Sequence, residues 1–514
     1  MVKSLMVQGT GSHVGKSILT AALCRIFRDR GINVAPFKSQ NMALNSFITE
    51  SGGEMGRAQV VQAEAAGLIP CVDMNPILIK PHADMEAQVI IQGKVHGNFS
   101  AKDFHNFKSK AMPFVEDSYK RLAKRHELIV IEGAGSPAEI NLRENDIANM
   151  GTAHLVDAPV LLVGDIDKGG VFASIVGTLE LLDEADRSRI KGFIINKFRG
   201  DISLLKPGLD FLEERTGLPV LGVIPYFRDI YIQEEDSVNL ESLSPSSSGG
   251  AGKIRVALLY LPHISNFTDF DPLEREEDVD LRYVRQGERI GDADIIIIPG
   301  SKSTISDLGY LRKAGYADEI RKHVERGGRL IGICGGYQML GESISDPCRV
   351  EAGGELEGLG LLDIETALKE SKETHQVAAV QVGRENILKG YEIHMGESSY
   401  LNGASPLFEI KIRGAGDVKV GDGAMSFDGR VWGTYIHGIF DNDDFRKSVL
   451  DEVRKEKGVT TGDKGSAYTD LKEEGYRQLA ELVESNLDME AICRIAGLHA
   501  AKPEEERKER EEAG

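Results

Sequence analysis

Two short stretches carry residues that could do chemistry. The first surrounds Cys334, in Leu330-Ile-Gly-Ile-Cys-Gly-Gly-Tyr-Gln-Met-Leu340, where an apolar run reading as a buried strand breaks into two glycines and then a helix-like stretch. A thiol on such a turn lies near a helix N-terminus, whose dipole and free N–H groups activate a nucleophile and can hold an oxyanion. Cysteine is also among the most buried residue types, so the turn alone leaves a structural thiol open. His437 argues for chemistry: it follows the apolar start of Val431-Trp-Gly-Thr-Tyr-Ile-His-Gly-Ile-Phe440. A Cys and a His far apart in sequence, each at a predicted strand end, can meet as nucleophile and base.

The second stretch is Gly9-Thr-Gly-Ser-His-Val-Gly-Lys-Ser17, between the apolar Leu5-Met-Val7 and the helix-like Ile18-Leu-Thr-Ala-Ala-Leu-Cys-Arg-Ile-Phe27. Strand, glycine-rich loop and helix is the context in which backbone N–H groups cradle phosphates and a lysine reaches the terminal one. Thr10 stands where a standard phosphate loop has its first glycine, with Gly9 and Gly11 on either side; Gly15, Lys16 and Ser17 keep the usual ending. Ser17 is expected to ligate Mg²⁺, and a carboxylate at a strand end should complete the metal shell. Glu132, directly after Leu128-Ile-Val-Ile131, is placed for that. Lys38 ends another short apolar run, and Asp165 and Asp167 follow Pro159-Val-Leu-Leu-Val163, so these groups are expected in the crevice beyond the strand ends.

These side chains need a framework. Up to about residue 235, short Val/Ile/Leu-rich runs alternate with amphipathic stretches, which predicts a doubly wound parallel α/β sheet over 1–240. Ser242-Leu-Ser-Pro-Ser-Ser-Ser-Gly-Gly-Ala-Gly252 reads as a flexible linker, taken as 241–253. Ile254-Arg-Val-Ala-Leu-Leu-Tyr260 opens a second α/β domain over 254–445 that carries both Cys334 and His437. A helical C-terminal segment is expected over 446–500, and the charge run 501–514 reads as a solvated, disordered tail.

A chain of 514 residues with net charge −20 has no global basic face, which argues against nucleic acid while leaving room for a local pocket for an anionic small substrate. No apolar run is long enough to span a membrane, and the first strand leaves no room for a signal peptide, so the expected location is cytoplasmic. The five cysteines, Cys24, Cys71, Cys334, Cys348 and Cys493, form no CxxC pair and read as free thiols.

The first half resembles the dethiobiotin synthetase group of P-loop enzymes, and the second resembles the class I glutamine amidotransferases. Both in this order resemble the cobyric acid synthase family, carried by Pro36-Phe-Lys-Ser-Gln-Asn-Met42, Gly53-Glu-Met-Gly-Arg-Ala-Gln59, Asn75-Pro-Ile-Leu-Ile-Lys-Pro81, Asp165-Ile-Asp-Lys-Gly-Gly-Val-Phe172, Pro299-Gly-Ser-Lys-Ser-Thr304 and Tyr391-Glu-Ile-His-Met-Gly396. The resemblance implies Cys334 as nucleophile on glutamine, His437 as base, and N–H groups of Gly335 and near Gly300 as oxyanion donors. It implies ATP on Gly9, Thr10, Gly11, Gly15, Lys16 and Ser17, adenine near Asn196, Mg²⁺ on Ser17, Glu132 and Glu54, and Lys38 facing the carboxylate to be activated. The implied reaction is ATP- and glutamine-dependent amidation of the b, d, e and g carboxylates of a corrin, adenosylcobyrinic acid a,c-diamide, in cobalamin (vitamin B12) synthesis.

Many amidotransferases of this class place a Glu two residues after the His, where this chain has Ile439, so the group orienting His437 is not identified from sequence. The sister cobyrinic acid a,c-diamide synthases share both modules; Pro299–Thr304 and Asp165–Phe172 favour the cobyric acid group. A partitioning-type P-loop ATPase switch would have no use for the Cys/His half.

Overall fold

Continuous apolar runs become strands buried on both faces. In the N-terminal half Leu5, Met6 and Val7 and the whole of Leu128–Ile131 are inaccessible to solvent, as parallel strands covered by helices on each side must be. The computed structural model describes residues 2–83, 86–233, 253–351, 353–459 and 467–498. The expected tail and all but the last residue of the expected linker lie outside the described residues.

The first sheet is six-stranded and parallel, in the order Val220–Pro225, Ile190–Phe198, Val160–Asp165, Lys3–Gly9, Leu128–Glu132, Val34–Phe37. The chain starts on the central strand Lys3–Gly9 and later adds strands on both sides of it. The loop leaving that strand therefore opens into the crevice of a doubly wound sheet, where ligands bind. The second sheet runs Val279–Val284, Ile254–Leu259, Ile295–Ile298, Arg329–Ile333, Val431–Thr434, Ala424–Met425, parallel except at its last pairing. Arg329–Ile333 and Val431–Thr434 are neighbours, so the residues that follow them, Cys334 and His437, leave the sheet at the same edge.

The β insertions were not legible as separate sheets; one pairs Gln40–Met42, Ile77–Ala83, Glu86–Ile91 and Lys94–Ser100. Residues 343–422 form a largely antiparallel sheet, whose long hairpin pairs Ile364–Gln381 with Ile387–Tyr400, between the Cys334 and His437 strands in sequence. In the N-terminal half a small hairpin pairs Ser46–Ile48 with Glu54–Gly56 and is followed at once by helix Arg57–Ala65.

The 446–500 segment does not pack as one unit. Helix Asp443–Lys457 buries Phe445, Leu450 and Val453 in the core of the second half. Helices Tyr468–Glu484 and Met489–Ile495 return to the N-terminal half and bury Tyr476, Leu479, Val483 and Ile492 against Leu19, Leu23 and Phe27. Amphipathic spacing predicted the helices but not their partners. Among the described residues no helix is long and apolar enough to cross a membrane.

Gly475, inside helix Tyr468–Glu484, marks a close approach of this return: a Cβ there would lie 2.0 Å from Tyr231 O. Helix propensity alone favours Ala over Gly by about 1 kcal/mol, but forcing a methyl against a backbone oxygen costs about 1–3 kcal/mol. We expect Gly475→Ala to destabilise the protein in denaturant unfolding; stabilisation would show that this helix docks more loosely.

Candidate functional site

The phosphate loop is held from below before any ligand arrives. Gly15 has φ 101° and caps helix Lys16–Asp29, a conformation that favours glycine. Asn196 Nδ2 donates to Val14 O at 2.8 Å and lies where a Gly15 Cβ would be. The expected adenine-contacting residue thus spends one amide donor under the loop. Gly9 has no room for a side chain either, since a Cβ would come within 2.4 Å of Val14. Thr10 N donates to Val163 O at 2.9 Å, which ties the loop to the neighbouring strand. Lys16 Nζ donates to Gly11 O (2.7 Å) and Gly135 O (3.0 Å). Burial lowers its pKa to about 8, with Lys38 adding to the effect and Glu132 opposing it.

Glu132, 1% exposed, is the centre of this site. Its Oε1 accepts from Ser17 Oγ (2.7 Å) and Lys38 Nζ (2.8 Å); its Oε2 accepts from Gln62 Nε2 (2.6 Å). Burial works against the ionised form, but Lys38, by charge and hydrogen bond, with Ser17 and Gln62, holds the carboxyl below the usual range. The oxygen donors suit a hard cation: Ser17 and Glu132 are already adjacent, and Gln8 Oε1 and Gln62 Oε1 are buried without a hydrogen-bond partner. Asp165 accepts from Lys197 Nζ at 2.9 Å, and Asp167 pairs with Arg199 at 2.8 Å.

Glu54 belongs to another cluster. Its two oxygens bind Lys80 (2.7 Å) and Lys372 (2.5 Å), the latter from the second half. Burial would raise its pKa, yet Lys372, Lys80 and Lys302 together push it well below the carboxylate range. The structure brings Ser17 and Glu132 together and gives Glu54 two ammonium partners instead of a place beside Ser17.

The thiol site lies at the edge of the second sheet. Cys334 has φ 51°, ψ −108°, a strained backbone for a non-glycine residue, and caps helix Gly335–Met339. The turn is tight: a Cβ at Gly336 would lie 2.0 Å from Ile298 O, and one at Gly335 2.9 Å from Ser301 N. A Gly300 Cβ would sit 3.4 Å from His437 Cε1. Backbone of Ser301 thus closes on the turn after the thiol, and Gly300 lies beside the imidazole. Cys334 Sγ lies 3.6 Å from Ile393 O.

The group missing from the sequence reading is Asp269. Its Oδ2 lies 2.6 Å from His437 Nδ1, and its Oδ1 accepts from Gly438 N at 3.0 Å. Both side chains are buried. The contact fixes the proton on Nδ1 and leaves the other ring nitrogen for the thiol. Burial alone would lower the imidazole pKa; the Asp269 charge and hydrogen bond, with Cys334, outweigh it and raise it to about 10. Asp269 lies on the short turn Phe267–Phe270, 168 residues before His437. The only local sign was an acidic residue set between two buried phenylalanines, in a stretch with no strand or helix periodicity. Tyr391 completes the enclosure: its ring stacks on His437 with centroids 5.3 Å apart and planes 18° from parallel.

A folded-state pKa raised above 6.5 means that the charged imidazole persists up to about pH 10 and is lost above it. Alkylation of Cys334 by iodoacetamide reads whether this charged partner is in place. Asp269→Asn should slow it about tenfold or more at neutral pH. An unchanged rate would remove Asp269 from the site.

Two known family models match this chain. A model of the CobQ/CobB/MinD/ParA nucleotide binding domain matches residues 5–239, and one of the CobB/CobQ-like glutamine amidotransferase domain matches 255–445. Relatives named cobyric acid synthase cover nearly the whole chain. One from Caldanaerobacter subterraneus subsp. tengcongensis is 54% identical and covers 96% of this chain and 99% of its own length. One from Clostridium acetobutylicum is 52% identical over 97% and 99%, and one from Syntrophobacter fumaroxidans 49% over 96% and 99%. With both modules in one order and such relatives spanning both, the chain belongs to the cobyric acid synthase family and is a glutamine-hydrolysing amidating ligase.

Proposed function

We propose that this enzyme makes cobyric acid by amidating the b, d, e and g carboxylates of adenosylcobyrinic acid a,c-diamide with ATP and glutamine. The observation that carries the reading is the pairing, in one chain, of an imidazole-bearing thiol site, Asp269–His437–Cys334, with the Ser17–Glu132 phosphate site. A carboxylate is a poor acyl donor and needs activation; ammonia needs a protected source.

In the amidotransferase half, the Cys334 sulfur attacks the glutamine carboxamide carbon. Backbone N–H groups of Gly335 and the Gly300–Ser301 segment stabilise the developing oxyanion. His437 gives its proton to the departing nitrogen, so ammonia leaves and a thioester remains. Water, deprotonated by His437, then releases glutamate and restores the thiol, while Asp269 keeps the imidazole in one tautomer throughout. In the synthetase half the substrate carboxylate oxygen attacks the γ-phosphorus of ATP, giving an acyl phosphate and ADP. Lys16 neutralises the transferring phosphoryl group, and Lys38 meets the incoming carboxylate. Mg²⁺ held by Ser17 and Glu132 would supply further charge neutralisation at the phosphates. Ammonia attacks the acyl carbon, phosphate leaves, and the amide forms with loss of one proton. Asn196 steadies the loop through Val14 O, and adenine near it remains part of the reading.

Cys334→Ser is expected to abolish glutamine-dependent synthesis and to keep synthesis from ammonium. Lys16→Ala should lower both by orders of magnitude. A Lys16→Ala protein that made amides normally would remove the acyl phosphate from the mechanism.

One phosphate loop activates one carboxylate at a time, so mass spectra taken during turnover of the diamide should show a ladder of one to four added amides, one ATP consumed for each. A product that stops at two additions, or a preference for the unamidated acid, would favour the sister diamide synthase reaction.

A further inference from the structure

The hydroxyl of Tyr391, whose ring packs on His437, is held from the other half of the molecule. Arg57 Nη2 donates to Tyr391 Oη at 3.0 Å, and Tyr391 Oη donates to Ser46 O at 3.3 Å. Arg57 opens helix Arg57–Ala65, and Ser46 opens the hairpin before it. Tyr391 also grips His437 through the main chain: Tyr391 N donates to His437 O at 3.1 Å and His437 N to Tyr391 O at 2.8 Å. One residue thus registers both the backbone and the ring face of the base.

Arg57 is buried with part of its hydrogen-bonding capacity unused. It is 6% exposed, and its Nε has no hydrogen-bond partner. The guanidinium rests over the rings of Phe47 (5.2 Å) and Tyr391 (5.8 Å), with Tyr391 Oη as its one side-chain hydrogen-bond acceptor among the described residues. The carboxyls of Asp441, Glu64 and Asp269 also act on it by charge, so an apolar replacement costs stability by leaving these acids without this cation. An apolar side chain also cannot fix the Tyr391 hydroxyl. The terminal torsion of a histidine is broad and roughly two-fold; Asp269 restrains the ring at Nδ1, and Tyr391 restrains its plane.

We propose that Arg57 is a positioning residue for glutamine hydrolysis, acting through Tyr391 to hold the His437 imidazole in line with Cys334. The synthetase half therefore supplies part of the glutaminase site. The proposal rests on the glutamine-hydrolysing role of Cys334 and His437. The same nine-residue helix places Gln59 and Gln62 on Glu132, so its first residue serves one site and its next turn the other.

Steady-state glutamine hydrolysis by the full chain tests this, comparing the natural protein, Arg57→Met, Tyr391→Phe and the double variant. Misplacing a base lowers turnover more than binding, so kcat should fall about tenfold or more in Arg57→Met and several-fold in Tyr391→Phe, with KM for glutamine within about threefold. Because the two residues act through one contact, the double variant should be no worse than Arg57→Met alone. Singles within about twofold of the natural kcat, or losses that multiply in the double variant, would overturn the proposal. Tyr391→Phe keeps the stacked ring and guards against a folding defect in the arginine variant. If the natural protein itself hydrolyses no glutamine, the glutaminase reading falls and this inference falls with it; if it does and the variants match it, only the inference falls.

Discussion

The ionised Glu132 carboxylate, buried beneath the phosphate loop, is the constraint around which the N-terminal half is arranged. A lone buried carboxylate would take up a proton rather than stay charged. It stays charged because donors converge from separate elements: Ser17 from the helix after the loop, Lys38 from the edge strand, and Gln62 from helix Arg57–Ala65. Each must be in register for the charge to survive. The position of helix Arg57–Ala65 is therefore set by electrostatics at the phosphate site as well as by packing, and the place of its first residue at the domain boundary follows from that.

The two halves solve the same positional problem. In each, a central parallel strand ends in a glycine-rich turn and a helix begins, so reactive atoms collect beyond the carboxyl ends of the strands. In the first half the turn wraps backbone N–H groups around phosphates. In the second, the turn lifts a thiol into a strained conformation that close glycine contacts enforce. The neighbouring strand then delivers His437 by parallel pairing alone, since Ile333 sits opposite Thr434. Asp269 arrives differently, on a turn that Asn45 of the first half holds through Phe267 N at 3.2 Å, while Ser46 N reaches back to Asn266 Oδ1 at 3.1 Å.

Legibility in the sequence follows the range of the interaction. The loop at Gly9–Ser17, Glu132 after its strand, and Cys334 between strand and helix are each written in about ten consecutive residues, and the structure puts each at a strand end. His437 was readable because its strand is apolar. Asp269 was not: the contact that defines its role is with a residue 168 positions away, and nothing within its turn distinguishes it from the neighbouring Asp271. Glu54 shows the reverse case, a motif acid whose partners, Lys80 and Lys372, come from strands that sequence periodicity did not pair. The return of the last two helices to the first half was hidden for a related reason: an amphipathic pattern states that a face is buried without stating what covers it.

Several contacts that join the halves near the active sites are polar, and this bears on what they do. Lys372 to Glu54, Thr374 Oγ1 to Gly52 O (2.9 Å), Gln376 to Ile48 O and Arg57 to Tyr391 all involve the hairpin over Ser46–Gly56 or the helix that follows it. Buried ionic and polar contacts add little net stability against an apolar replacement, but they have strict geometry. Apolar surface tolerates sliding; a lysine shared with one carboxylate and an amide aimed at one carbonyl do not. The apolar burial by the returning helices lies elsewhere, on helix Lys16–Asp29. At the hairpin surface Ile48 and Phe47 pack on Tyr391 and Ile393, and the register is strictest along the strand Ile364–Gln381, which pairs with the strand carrying Tyr391 and Ile393 beside the base and the nucleophile.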